Sequence, residues 1–255
     1  MDSCPDTGFS TPQLTAALTI GERLLVCGAE VSRVEDTIRR ICRAYGAVRV
    51  DVFTITSSIV VTAFGAGGVP YTQTRRIAGQ AFDLTALSEL NALSRRICAA
   101  RPDTAEVDAA LARIDALPHY CFGALLLVYA LISASFSLFF GGTPRDALIA
   151  AGIGVGLKLM QAGLQRLAVN PLISVLLCSI AGGFGAWLAV TAGLADSIGG
   201  ISIGNVMLLI PGIALTNSIR DMFSGDTISG LLRFTEALVF SVAIAWGFAL
   251  PTVLF

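Results

Sequence analysis

Hydrophobic positions follow two different rules along this chain. From Thr11, Leu14, Leu18 and Leu25 share one helical face, and the run ends near Gly28. Gly28-Ala29-Glu30 forms a short turn. Ser32 and Glu35 then have the spacing of a capping box, in which serine and glutamate satisfy free N–H groups reciprocally. Val34, Ile38, Ile41 and Tyr45 continue at helical spacing, with Gly46 as the stop. The period next falls to two. Val48, Val50 and Val52 alternate with Arg49, Asp51 and Phe53, and residues 59–62 are β-branched. Residues 65–68, Gly-Ala-Gly-Gly, predict a hairpin turn into a third strand around Tyr71 to Arg76. Helical spacing returns from Asp83 to Ala99 (Leu87, Leu90, Leu93, Ile97) and after Pro102 (Val107, Leu111, Ile114). Residues 1–10 read as a flexible tail, so 11–117 predict a small α/β domain, large enough for its own core.

From residue 118 the apolar positions run together. About 20 apolar residues suffice to cross a bilayer. Five such stretches are expected, over residues 120–141, 146–166, 171–192, 200–219 and 230–252. The fold class is therefore an α-helical polytopic membrane protein with an N-terminal α/β domain and a transmembrane domain over 118–255. Small residues spaced by four, Gly152/Gly156, Ala181/Gly185 and Gly182/Ala186, let helices approach closely. Pro211-Gly212 breaks the fourth stretch, because proline removes a backbone donor and clashes with the preceding turn. Broken helices in membranes line binding sites in transporters.

Composition sharpens the division. Charged residues make up 14% of the chain, against roughly 25% in a soluble domain. Residues 1–119 hold 12 of the 17 Lys+Arg and 13 of the 18 Asp+Glu, and the remainder holds five of each. This balance carries no nucleic-acid signature. Six scattered cysteines (Cys4, Cys27, Cys42, Cys98, Cys121, Cys178) and a single histidine, His119, argue against a Cys/His metal site, and no cofactor is expected. Free thiols fit a reducing compartment, and the N-terminus lacks the basic and apolar regions of a signal peptide. No catalytic residues are expected. Ser57-Ser58 has no base near it in sequence, Arg75-Arg76 reads as a solvated strand end, and Glu30, Glu35, Asp36 and Asp51 read as surface carboxylates. His119, just before the first span, reads as an interfacial residue.

Candidate chemistry therefore gathers in the second half. Asn217, Arg220, Asp221, Asp226, Arg233 and Glu236 are its densest polar cluster. On a helix, Asn217, Arg220 and Asp221 share a face. An Asp221–Arg233 or an Arg220–Glu236 pair would neutralise the cluster. Alternatively one arginine stays free to hold a carboxylate in bidentate fashion. The spacing permits both. Lys158, the only lysine, lies inside the second apolar stretch, either snorkelling to the interface or facing a substrate path.

The order of features resembles the threonine/serine exporter family of bacterial inner-membrane proteins. The resemblance rests on GAEVSRVEDTIRRICRAYG (28–46), Thr74-Arg75 after three strands, and PGIALTNSIRDMFSGDTISGLLRFTEAL (211–238). It runs from about Thr11 to the C-terminus. Full-length members carry about twice as many spans, so the resemblance implies the split form, in which a larger subunit with a soluble domain works with a separate small membrane subunit. It further implies a proton-motive-force-dependent exporter of threonine and serine, or of succinate in the split pair. An arginine offered to a carboxylate serves either substrate. Carried over to this chain, Pro211-Gly212 is the helix break, and Asn217, Asp221 and Arg233 lie nearest the transport path. An oligomeric assembly in the inner membrane is expected. The arginine-rich half places the N-terminus in the cytoplasm, and five spans place the C-terminus outside, with Arg145 the one exception to the positive-inside pattern. The competing reading is a membrane-anchored sensor or enzyme working through residues 11–117.

Overall fold

The computed structural model describes residues 9–118 and 120–255; most of the expected tail, with Cys4, and His119 lie outside them. The chain divides into two compact units. One combines Met1–Pro118 with Ala214–Phe234, and the other combines His119–Ile213 with Thr235–Phe255.

In the first unit the helical periodicities give α1 (Thr11–Val26), α2 (Val31–Ala44), α3 (Leu84–Ala100) and α4 (Thr104–Asp115). The alternating segment gives a three-stranded antiparallel sheet, β1 (Arg49–Ile55), β2 (Ser58–Phe64) and β3 (Pro70–Arg76), in that order. The register pairs Val50 with Ala63 and Val61 with Gln73. That register turns Val50, Ile59, Val61 and Ala63 to one face, where they pack with Leu14, Leu18 and Leu25 of α1, Ile38 and Ile41 of α2, and Leu90 and Ile97 of α3. Asp83 caps α3 by accepting hydrogen bonds from Thr85 N and Ala86 N at 3.0 and 2.9 Å. Val48 lies outside β1 and is exposed. Arg75, at the end of β3, sits 3.5 Å from Glu22.

The expected capping box of α2 does not form. The helix starts at Val31 with Glu30 as its N-cap, which places Ser32 inside the first turn. Glu35 instead accepts from Thr54 N at 2.9 Å and pairs with Arg39 at 2.8 Å. A β1 backbone donor and a cation one turn along hold this carboxylate more strongly than a free helix N–H would.

The second unit contains α5 (Phe122–Phe139), α6 (Pro144–Arg166), α7 (Pro171–Thr191) and α8 (Ile198–Val206). Two further helices, α9 (Gly212–Phe223) and α10 (Thr227–Leu254), each have residues in both units. Among the described residues, four helices are long and apolar enough to cross a membrane: α5, α6, α7 and α10. The expected span over 200–219 is not one helix. α8 stops at Val206, the chain turns through 207–210, and α9 begins at Gly212. Pro211 cannot donate to the ladder, and the turn closes with Ile210 N donating to Val206 O (3.1 Å) and Gly212 N to Ile210 O (2.8 Å).

Small residues let these helices touch. A Cβ at Gly204 would overlap the Ser133 carbonyl oxygen, and one at Gly183 would lie 3.0 Å from the Phe248 backbone. Of the expected small-residue pairs, Gly182 and Ala186 are buried, whereas Gly152 and Gly156 meet nothing within 4 Å. Asp146 is buried beside these contacts. Its Oδ1 accepts from Asp196 N and Ser197 N (2.8 and 3.1 Å) and its Oδ2 from Thr143 N (2.9 Å), which fastens the loop before α8 to the start of α6. Ser133 donates to Asn205 Oδ1 at 3.1 Å, a buried polar contact between α5 and α8.

Candidate functional site

The polar cluster of the second half gathers around a turn in the first half. Gly28, with φ of +95°, reverses the chain between α1 and α2 at an angle that side chains with a Cβ rarely adopt. The turn leaves the carbonyls of Gly28 and Ala29 and the N–H of Val31 without partners in either helix. Residues 214–234, the α9–α10 hairpin, supply them. Asn217 Nδ2 donates to Gly28 O at 2.9 Å, and Arg233 Nη2 donates to Ala29 O at 3.1 Å. Val31 N donates to Asp221 Oδ1 at 3.2 Å. Asp221 therefore caps α2 from 190 positions along the chain, with its charge at the positive end of the helix dipole.

Asp221 and Arg233 also hold each other, with Nη1 to Oδ2 at 3.2 Å. Asp221 is fully buried and Arg233 is 2% exposed. Burial pushes the Asp221 carboxyl above the usual carboxylate range, while the Arg233 charge and the Val31 N–H pull against it. Of the two pairings open to the sequence, Asp221–Arg233 forms. Arg220–Glu236 does not. Arg220 reaches Glu30 at 2.5 Å, and Glu236 is exposed on the α10 segment of the second unit, with no ion pair among the described residues. Arg220 meets Glu30 because the hairpin turns its face to the α1–α2 turn, where the Glu30 side chain is only 14% exposed.

Asp226 sits half-buried at the bend between α9 and α10. Burial raises its carboxyl's pKa, with Arg39 pulling the other way. Glu35 is raised by burial too, against the Thr54 N–H and Arg39, and feels Asp226 as a like charge. Ser229, at the start of α10, points its hydroxyl at Thr54 O (3.4 Å). Lys158 belongs to a different place. In the second unit its Nζ lies 4.9 Å from the centre of the Tyr129 ring, whose hydroxyl donates to Gln161 Oε1 at 3.0 Å. Pro211 and Gly212 form the α8–α9 break. Among the described residues no group of carboxylates, thiols or imidazoles could hold a metal ion.

The hydrophobic pattern gave no sign of Glu30, Val31, the Gly28 and Ala29 carbonyls, Thr54 or Ser229 as site residues. Glu30 reads as a surface carboxylate in the sequence. The signal available was the pairing of two motifs, residues 28–36 and 211–236, whose polar groups complete one another here.

A known family matches nearly the whole chain, both of these stretches included. The family described as "Putative threonine/serine exporter" matches residues 15–255. The chain belongs to this family. It is 26% identical over 249 residues to a "Threonine/serine exporter" of Corynebacterium glutamicum, a match covering 93% of this chain and 50% of the relative. The chain thus spans about half the length of that relative. It is 24% identical over 238 residues to the "Probable succinate transporter subunit YjjP" of Klebsiella aerogenes, covering 88% of this chain and 86% of the relative. No solved structure matches. The exporter family and the apolar helices α5, α6, α7 and α10 together make this a membrane protein.

Chemically, the cluster is a closed lock. In this conformation neither Asp221 nor Arg233 is open to a ligand. A carboxylate could reach the guanidinium only after the hairpin shifted or Asp221 let go.

Proposed function

We propose that this chain is the larger subunit of a bacterial inner-membrane exporter of small carboxylates, threonine and serine or a succinate-like dicarboxylate. It works with a separate small membrane subunit, in an oligomeric assembly with the soluble part in the cytoplasm and the C-terminus outside. The observation that carries the reading is the buried Asp221–Arg233 pair, inside the stretch matched by the family and continuous through α10 with an apolar helix of membrane-crossing length. Charges in such positions are costly and mark functional paths in membrane proteins.

The pair suggests how transport is coupled to protons. A proton taken up by Asp221 at Oδ2 removes the negative charge that faces Arg233. The guanidinium then attracts a substrate carboxylate, which it can grip with two parallel N–H bonds. Loss of the proton restores the pair and expels the substrate. Asn217, Arg220 and Asp226 position the hairpin during this exchange. Lys158, Glu236 and the Pro211-Gly212 break belong to the path that the substrate follows.

The test is efflux of preloaded threonine, serine and succinate from cells lacking their own exporters. The cells would express this chain alone, the proposed small membrane subunit alone, or both. Efflux of at least one compound with both, and with neither alone, is expected. Efflux from this chain alone would refute the two-subunit assembly. No efflux of any of the three, with both proteins in the membrane, would refute the exporter reading.

A further inference from the structure

Two polar rows line the seam between α2 and α3 in the first unit. On α2 they are Arg33, Asp36, Thr37 and Arg40, at i, i+3, i+4 and i+7; on α3, Asn91, Ser94, Arg95 and Cys98 repeat the same spacing. Between them lies an open cleft of about 600 Å³, within the size range of small-molecule sites. The charge in it is unbalanced. Three guanidiniums face one carboxylate, Asp36, and that carboxylate is already held by Arg40 at 2.9 Å. Neither Arg33 nor Arg95 makes an ion pair among the described residues.

Arg33 and Arg95 are exposed, as solvated arginines on a helix surface are, and what sets them apart is the hollow they share. The floor of the cleft is self-satisfied: Asn91 Nδ2 donates to Leu87 O, and the Ser94 hydroxyl to Asn91 O. Thr15 and Thr19, in α1, turn their hydroxyls back to the carbonyl four residues earlier, as helical threonines do. Thr37 makes no such bond among the described residues. Its hydroxyl and two arginines from two helices are thus left as donors around one hollow. An anion with two charges supplies what they lack, because planar guanidiniums bind carboxylate and phosphate oxygens in pairs.

We propose that the α2–α3 cleft is a binding site for a small dianion, a dicarboxylate or a phosphate group, gripped by Arg33 and Arg95 with the Thr37 hydroxyl as a third donor. The site is separate from the Asp221–Arg233 pair but shares α2 with it. The first N–H of that helix is held by Asp221 and its third residue is Arg33. A ligand here acts on the helix that the hairpin caps.

Isothermal titration calorimetry on the full-length protein in detergent, at constant ionic strength, tests this directly. The probes are succinate and inorganic phosphate, with acetate as the monoanion control. Saturable binding of at least one dianion is expected, and the probe that binds distinguishes dicarboxylate from phosphate. Arg33→Gln and Arg95→Gln should each weaken it by about tenfold or more. Arg96→Gln, on the neighbouring face of α3, should leave it unchanged. Thermal melts of the three variants confirm that each is folded. The proposal fails if no dianion binds, if acetate binds equally well, or if the dianion binds with the same affinity to folded Arg33→Gln and Arg95→Gln.

Discussion

Asp221→Ala is expected to destabilise the protein by about 3–5 kcal/mol, the usual cost of taking one member from a buried ion pair. Two losses combine. The guanidinium of Arg233, 2% exposed, loses the carboxylate facing it, and the N-terminus of α2 loses its cap. Glu30→Ala removes a pair whose arginine is largely solvated, so it should cost far less. The neutral double variant Asp221→Asn/Arg233→Gln should recover part of the lost stability, because it removes both charges and keeps a polar group at each position. Thermal and denaturant unfolding of the detergent-purified protein provide the comparison. Equal stability of Asp221→Ala and wild type would show that the pair does not hold the hairpin.

Gly230→Leu is the second large effect. A Cβ at this position would lie 2.6 Å from Met222 Cγ, 2.7 Å from the Ser218 carbonyl oxygen and 3.0 Å from Met222 N. The methionine can swing aside. The α9 backbone cannot, so α10 must move off α9, at a cost at or above the roughly 1–3 kcal/mol of ordinary overpacking. That displacement separates Asp221 on α9 from Arg233, less than one turn along α10 from Gly230. The variant should lose membrane abundance and melt at a lower temperature, while Gly212→Ala, where a Cβ meets nothing within 4 Å, should be close to neutral on both. Abundance and melting as in wild type would mean that α9 and α10 are not packed this tightly.

Much of the architecture was legible because it is periodic. Leu14, Leu18 and Leu25 mark α1, and the alternation through Val50 marks β1, since burial on one face imposes the spacing. What the sequence hid is long-range. The capping box at Ser32 and Glu35 is a sound local signal, but Glu35 has a better partner in the Thr54 N–H, and the cap comes from Asp221. No rule of spacing links positions 31 and 221. Likewise the sequence left Asp221–Arg233 and Arg220–Glu236 equally open, because both need only a hairpin. The choice depends on Glu30, which docking of the hairpin places against Arg220. The stretch over 200–219 is apolar enough to suggest a span, yet Pro211 divides it into helices of nine and twelve residues.

The measurement that tests the central claim most directly is efflux from cells carrying the neutral double variant, Asp221→Asn/Arg233→Gln, together with the proposed small membrane subunit. Its membrane abundance would be measured in the same cells. The account predicts abundance close to wild type and loss of export, because the variant keeps the fold but has no charge to exchange between proton and substrate. Wild-type efflux from that variant would contradict it, and would reduce the Asp221–Arg233 pair to a structural fastening.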